Sequence, residues 1–316
     1  SDNFKKRFES YGWNYILING HNEKEIFKAL KKVQNAKKPT IISCKTKIGY
    51  GSPNKSGKSS SHGSPLGLDE IKLVRRELNW NFKPFYIPDR ILNEWKKIGE
   101  KGLKLEKKWS KIFKKKTKIA NKIFKNNFTN IFKNEKLNSI KELSGLATRK
   151  SSELTLNALT KQGNSLIGGS ADLAGSNNTK TKYHKVIKRN DFAGNYIHYG
   201  VREHAMCGIM NGLALHSKLI PYGGTFLIFS DYCKPSIRLS ALMKKRVIYV
   251  MTHDSIGLGE DGPTHQPIEQ LSGLRSIPNL NVFRPADRIE TIECWEQALK
   301  NFETPSILSL TRQNLK

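Results

Sequence analysis

The sequence predicts an α/β protein built on parallel sheets, and three observations predict it. Short apolar, β-branched segments alternate with stretches of helical periodicity at both ends of the chain, which is the pattern of successive βαβ units. Loops rich in Gly, His and Asp follow the apolar segments, and open α/β sheets bind ligands beyond the carboxyl ends of their strands. The 316 residues, 37% of them hydrophobic, suffice for about two domains with sizeable cores.

Taken in order, Trp13 to Leu17 reads as a strand. Asn22 to Val33 reads as a helix with Ile26, Leu30 and Val33 at helical spacing, and Pro39 to Cys44 as a second strand. Residues 49–67 form a long Gly/Ser/Pro loop, and loops of that length are usually functional or disordered. Residues 69–145 read as mostly helical, with Asp69 as an N-cap and Ile71, Val74 and Leu78 on one face. Between about 90 and 135, Ile, Leu, Trp and Phe stand at helical spacing among lysines, as expected of a surface linker. A second α/β series follows: helix 151–161, strand 165–170, helix 203–216, strand 219–222, helix 228–243, strand 246–251, strand 280–283, helix 288–301 and strand 306–310. The predicted divisions are residues 1–100, a Lys-rich helical linker over 101–145, and residues 146–316.

The net charge of +28 invites a nucleic-acid reading. Its distribution argues against one. Residues 1–150 hold 36 Lys/Arg against 13 Asp/Glu, and residues 151–316 hold 19 against 14. The excess is Lys rather than Arg, it is spread over several helices, and no nucleic-acid motif accompanies it, so a solvated surface is expected. Cys44, Cys207, Cys233 and Cys294 form no C-x-x-C pair or Cys/His cluster, which predicts free buried thiols and no metal site. No apolar run approaches the 18 residues or so of a membrane span and no signal sequence opens the chain, so a cytoplasmic protein without a membrane partner is expected. The chain starts at Ser1 in mid-pattern, which predicts a piece of a longer polypeptide.

Five segments concentrate the unusual polar residues. Ser61-His62-Gly63 lies in the long loop. Gly168 to Ser176 (GGSADLAGS) follows a strand with small residues whose amides suit an anion. Asn195 to His204 ends on Glu203, which opens an apolar helix. Thr225 to Tyr232 spaces Phe226, Phe229 and Tyr232 three apart, which places them on one helical face. Thr252 to Pro267 (THDSIGLGEDGPTHQP) gathers two histidines, three acids and three glycines directly after an apolar strand, more ionisable groups than a structural loop needs.

Together with Gly-Val-Arg-Glu-His at 200–204 and Thr-Arg-Gln-Asn-Leu at 311–315, these segments resemble the transketolase family. Its members move a two-carbon ketol unit between sugar phosphates with thiamine diphosphate, in the pentose phosphate pathway. The resemblance runs from Tyr11-Gly12-Trp13 to Leu315 and is weak only in the Lys-rich linker. It implies the end of the diphosphate-binding domain, a helical linker and the pyrimidine-binding domain.

The resemblance further implies that Glu203 bonds a ring nitrogen of the cofactor's aminopyrimidine. That bond turns the exocyclic amine into the base that takes the thiazolium proton, and a carboxyl in an apolar helix end can share a proton with such a nitrogen. Phe226, Phe229 and Tyr232 would cup the pyrimidine, and Asp172 and Leu173 would touch the cofactor. His62 matches the histidine beside the diphosphate and the substrate hydroxyls. His253 matches the one on the ketose C1 hydroxyl, with Asp261 at the aldose C2 hydroxyl and His265 near the phosphate. Arg149, Ser176 and Arg312 match a phosphate clamp, for which guanidinium forks are suited.

There are departures from the family pattern. The family's Gly-Asp-Gly…Asn motif for the diphosphate and Mg2+ (or Ca2+) is absent from this sequence, as are its earlier substrate histidines and its third domain. The metal ligands are therefore expected in an N-terminal segment that the chain lacks. In the family the site forms between two chains, so a homodimer is expected, and the chain alone is expected to be inactive. The nearest alternative is a 1-deoxyxylulose-5-phosphate synthase-like enzyme; His253 eight residues before Asp261, Asp172-Leu173 and Arg312-Gln313-Asn314 favour transketolase. A basic, non-catalytic binding module is the alternative from another class.

Overall fold

The computed structural model describes residues 2–123, 128–139, 145–161 and 165–315. The chain falls into two compact units, Ser1–Glu106 and Lys107–Lys316. Part of the sequence-predicted linker, at 124–127 and 140–144, lies outside the described residues.

The first unit begins with α1 (Phe4–Ser10), β1 (Asn14–Asn19), α2 (Glu23–Val33) and β2 (Thr40–Lys45). β1 and β2 pair in parallel, from Asn14 opposite Thr40 to Asn19 opposite Lys45, with α2 as the crossover. Asn22 caps α2 by accepting from the amides of Lys24 and Glu25, and the Glu25 carboxylate reaches back to the Asn19 amide at 2.7 Å, so the entry to this helix is held from both directions. Cys44, at the end of β2, is exposed and departs from the expected set of buried thiols.

The long loop is tied down rather than loose. Glu70, in α3 (Leu68–Glu77), accepts from the Ser52 hydroxyl, from the Asn54 amide nitrogen at 2.9 Å and from Asn54 Nδ2 at 2.9 Å. Lys55 Nζ donates to the Leu66 carbonyl at 2.8 Å. Asp69 is not the N-cap of α3. Gly67, with φ 88°, holds that position without a side-chain cap. The chain enters the helix through the left-handed region that glycine adopts freely, which leaves Asp69 in the first turn, paired with Lys72. α4 (Asp89–Ile123) follows, and its Trp95, Ile98, Leu105 and Trp109 are exposed among lysines.

The second unit continues with α5 (Phe128–Ser139), α6 (Thr148–Lys161), β3 (Leu166–Ser170), α7 (Ala174–Asn177), β4 (Tyr196–His198), α8 (Glu203–His216), β5 (Ile220–Phe226), α9 (Ser230–Leu242), β6 (Ile248–Thr252), α10 (Gln270–Arg275), β7 (Asn281–Phe283), α11 (Arg288–Lys300) and β8 (Ser306–Leu310). The strands form one parallel sheet in the order β4-β3-β5-β6-β8-β7.

Each face of this sheet is covered, which is why β6 and β8 read as unbroken apolar runs. Ile248, Val250, Leu308 and Leu310 point to one core, with Leu156 and Leu159 of α6, Phe132 of α5 and Trp295 of α11. Val247, Tyr249, Met251 and Ile307 point to the other, with Met206, Cys207 and Met210 of α8 and Cys233 and Ile237 of α9. Each such Leu, Ile or Met contributes about 1.5–3 kcal/mol on burial. Glycines make room for the larger rings: a Cβ at Gly168 would stand 2.4 Å from the Tyr222 ring, and one at Gly169 2.2 Å from that of Tyr199.

Three sequence expectations change here. The strand expected at 219–222 runs on to Phe226, so Thr225 and Phe226 are not helical, and Phe226, Phe229 and Tyr232 do not share one helical face. Phe226 ends a strand, Phe229 lies in a 3-10 turn and Tyr232 in α9. The elements α1, α7, β4 and α10 were not expected; at three to seven residues they are too short to show a hydrophobic period.

Candidate active site

All six strands of the second unit run the same way, so their carboxyl ends share one edge. The register decides which residues meet there. Phe226 lies opposite Thr252, and Thr252 opposite Leu310. The next residues out are therefore His253 on β6 and Thr311-Arg312 on β8.

Thr311 also brings α6 to this edge. The Thr148 amide donates to Thr311 Oγ1 at 2.9 Å, and the Thr311 amide donates to Thr148 Oγ1 at 2.8 Å. This reciprocal clamp sets Arg149, in the first turn of α6, close enough to Arg312 and Asp261 to feel their charges. Burial first, and Arg312 second, pull the Arg149 guanidinium below its ordinary value, while Asp261 acts in the opposite sense. Two guanidinium groups held together in this way favour an anion between them. Arg149 Nη1 donates to the Ser176 carbonyl at 2.8 Å, and Arg312 Nη2 pairs with Glu260 Oε1 at 2.7 Å.

His253 adopts φ 58°, a left-handed conformation that is uncommon outside glycine. It stacks on Phe226, with ring centroids 3.7 Å apart. Its imidazole is pushed down to about 4, by burial first and by Arg149 next, with Arg312 and His265 in the same direction and Asp261 opposed. The ring is therefore neutral near pH 7. Phe226, Phe229 and Tyr232 form a ladder, with centroids 5.7 and 5.8 Å apart in turn. The His265 ring stands edge-on to Phe229 at 5.2 Å.

The remaining candidates are placed as follows. Asp172, exposed, has φ 62° just past β3, and the Leu173 amide donates to Ser170 Oγ at 3.2 Å. Glu203 opens α8, where it is buried. His62 is exposed in the loop of the first unit. The structure thus gathers Arg149, Ser176, Phe226, Phe229, Tyr232, His253, Asp261, His265 and Arg312 along one edge of the second unit.

Several residues that sequence reasoning passed over belong to the same edge. Asn177 links Ser170 to Thr252, with Nδ2 donating to Thr252 Oγ1 at 2.7 Å. Asp254, buried beside His253, accepts from Arg284 Nε at 2.7 Å. Asn177, Asp254 and Thr148 each sit next to a residue already singled out, which was the available signal; Arg284 carried none.

Comparison with known proteins places the chain in a family. Residues 1–136 match the family model for the transketolase thiamine diphosphate binding domain, and residues 144–316 match the model for the transketolase pyrimidine binding domain. This chain belongs to the transketolase family. A transketolase of Cereibacter sphaeroides is 46% identical over 316 residues, which is 98% of this chain and 48% of that protein. The solved structure of transketolase from Leishmania mexicana superposes with a TM-score of 0.88 at 36% identity, covering 99% of this chain and 48% of that one. Transketolase from Pichia stipitis, solved in complex with sedoheptulose 7-phosphate, gives 0.85 at 37% identity over 100% of this chain and 49% of that one. The transketolase-family chain therefore spans about half the length of the relatives it matches. Its fold is the transketolase-like α/β fold with the two domains named by those models. No helix among the described residues is long and apolar enough to cross a membrane.

Proposed function

We propose that the chain supplies the pyrimidine side and the phosphate clamp of a transketolase site, which moves a two-carbon ketol unit from a ketose phosphate to an aldose phosphate. One observation carries this reading. The Thr148–Thr311 clamp brings Arg149 and Arg312, each one residue past it, to the same sheet edge, close enough for their charges to act on each other and on His253 beside Asp261. That set suits a ligand with a phosphate at one end and hydroxyls along its length.

The residues present fit the aminopyrimidine half of thiamine diphosphate. Phe226, Phe229 and Tyr232 form a graded aromatic ladder from buried to exposed, and Glu203 offers a buried carboxyl at the start of α8. When bound, the cofactor supplies the electron sink for breaking and making the carbon–carbon bond. Glu203 then shares a proton with a ring nitrogen, while Asp172 and Leu173 approach the cofactor from the β3 turn. His253 orients the ketose C1 hydroxyl and Asp261 the aldose C2 hydroxyl. Arg149, Arg312 and Ser176 hold the phosphate, with His265 nearby. His62 serves the diphosphate and the substrate hydroxyls from the loop that Glu70 anchors. Among the described residues no group of three or more His, Cys, Asp and Glu is placed to hold a metal, and Mg2+ or Ca2+ is assigned no ligand in this chain. The working assembly is a homodimer with the site between subunits, acting in the pentose phosphate pathway of the cytoplasm. The deoxyxylulose phosphate synthase alternative is not favoured, since the relatives named above are transketolases.

The test mixes the chain, thiamine diphosphate and Mg2+ with a polypeptide covering the part of the Cereibacter sphaeroides relative that precedes the matched region. Ketol transfer from xylulose 5-phosphate to ribose 5-phosphate is expected in the mixture and in neither component alone. Product formed from pyruvate and glyceraldehyde 3-phosphate instead would falsify the assignment. Micromolar binding of thiamine diphosphate by the chain alone, read by calorimetry, would overturn the shared-site reading.

A further inference from the structure

A chain of four buried side chains ends on the imidazole of His253. Ser170 Oγ accepts from the Leu173 amide at 3.2 Å and donates to Asn177 Oδ1 at 2.9 Å, closer than the Gly224 carbonyl at 3.1 Å. Asn177 Nδ2 donates to Thr252 Oγ1 at 2.7 Å. Thr252 Oγ1 in turn lies 2.9 Å from His253 Nδ1. Ser170, Asn177, Thr252 and His253 are all buried. Gly224 leaves the space for this arrangement, since a Cβ there would come within 3.1 Å of both Cβ and Oδ1 of Asn177.

The direction of these bonds follows from what each group can do. An amide nitrogen only donates, so Thr252 accepts from Asn177 and keeps its single proton for the next bond. That proton points to Nδ1 of His253, which must then be the bare nitrogen. A neutral imidazole so placed carries its proton on Nε2.

We propose that Asn177 and Thr252 are positioning residues that hold His253 as its Nε2–H tautomer, so that the ring meets its substrate as a hydrogen-bond donor. A donor suits an oxygen that gains negative charge as a carbon–carbon bond breaks or forms. The inference rests on the reading of His253 as a residue that touches substrate. Because burial keeps the ring neutral near pH 7, it has one N–H to offer, and the network decides where that N–H lies.

The tautomer can be read without turnover, from long-range 1H–15N correlation spectra of the histidine-labelled chain at pH 7. His253 is assigned by the signals lost in His253→Gln. The expected result is a protonated Nε2 and a bare Nδ1. Asn177→Asp replaces the donor with an acceptor, so Thr252 turns its proton to the new carboxylate and the His253 proton moves to Nδ1. Thr252→Val removes the relay and mixes the tautomers, whereas Thr252→Ser keeps the wild-type pattern. Should Asn177→Asp fail to fold, the Thr252 pair decides alone. A wild-type Nδ1–H tautomer, which a reversed Asn177 amide would produce, overturns the proposal, as does an unchanged spectrum in Thr252→Val. In the reconstituted mixture, Thr252→Val is expected to lower kcat about tenfold, with KM moving less than about twofold. A shifted tautomer with unchanged kcat refutes the positioning role. A wild-type mixture without ketol transfer, with the tautomer results as expected, strikes the functional reading and leaves the network standing.

Discussion

The Phe226 ring lies against the imidazole of His253, with centroids 3.7 Å apart and planes 27° from parallel. The pair exists because Phe226 ends β5 opposite Thr252 and because the left-handed turn at His253 carries its ring back over the strand end. Burial in that position is what keeps the imidazole uncharged.

His253 and His184 therefore link stability to acidity. Both are pushed down to about 4 by burial, with Arg149 next for His253 and Lys180 for His184. A value below the unfolded 6.5 means that the unfolded chain binds protons the folded chain does not. Stability then rises with pH from about 4 to about 6.5 and is level above. The urea midpoint is expected to fall between pH 7 and pH 4.5, and less steeply in His184→Gln. A flat profile across that window refutes the idea.

The Thr148–Thr311 clamp should be costly to open. Thr148→Val leaves the buried Thr311 amide without its acceptor, and an unmet buried group costs about 1–3 kcal/mol. Denaturant midpoints should record that loss. Arg149 sits one residue on, so affinity for ribose 5-phosphate should drop as well. Unchanged stability and affinity together would show that the clamp is decorative.

Gly168 has no room for a side chain, because Tyr222 is buried and its ring fills the space where a Cβ would stand. Gly168→Ala is expected to destabilise the second unit by about 1–3 kcal/mol through overpacking. A melting temperature equal to that of the parent chain is the contrary result.

Glu260 pairs with Arg312, one of the two guanidinium groups of the proposed clamp. An exposed pair of this kind is worth at most about 1 kcal/mol. Glu260→Gln should therefore tighten binding of a sugar phosphate by up to about fivefold, measured by calorimetry. Weaker binding would mean that Glu260 helps the ligand rather than competing with it.

Glu70 should control the order of the loop that bears His62. The Ser52 hydroxyl first, then Asn54, hold its carboxyl down to about 2, below the ordinary 4.5. The anchor is thus complete above pH 4.5 or so and is lost as pH falls towards 2. Glu70→Gln should speed tryptic cleavage at Lys55 and Lys58 at neutral pH. Equal cleavage rates in the two proteins would argue against the anchor.

The strands and helices with a clear period were legible from residues alone: β6 and β8 as apolar runs, α2 from Ile26, Leu30 and Val33. What escaped were features that depend on distant partners. The extension of β5 through Phe226 comes from its pairing with β6, which overrides the helical spacing of the aromatics. Asp69 lost the cap position to Gly67 because the backbone there needs a positive φ. At the site, motif residues such as His253 and Asp261 stood out by composition. Asn177, Thr252 and Thr148 did not, because ordinary polar residues reveal a role only when the fold shows what they touch.

The clamp between Thr148 and Thr311 also sets a clock. A ribosome makes Arg149 some 160 residues before it makes Arg312. Until Thr311 emerges, the Thr148 amide and hydroxyl lack their reciprocal partner, and the Arg149 guanidinium has no second guanidinium beside it. On the proposed reading, the phosphate clamp stays incomplete until Arg312 has followed Thr311 out of the ribosome. A variant ending at Leu310 keeps all six strands of the sheet but lacks both Thr311 and Arg312.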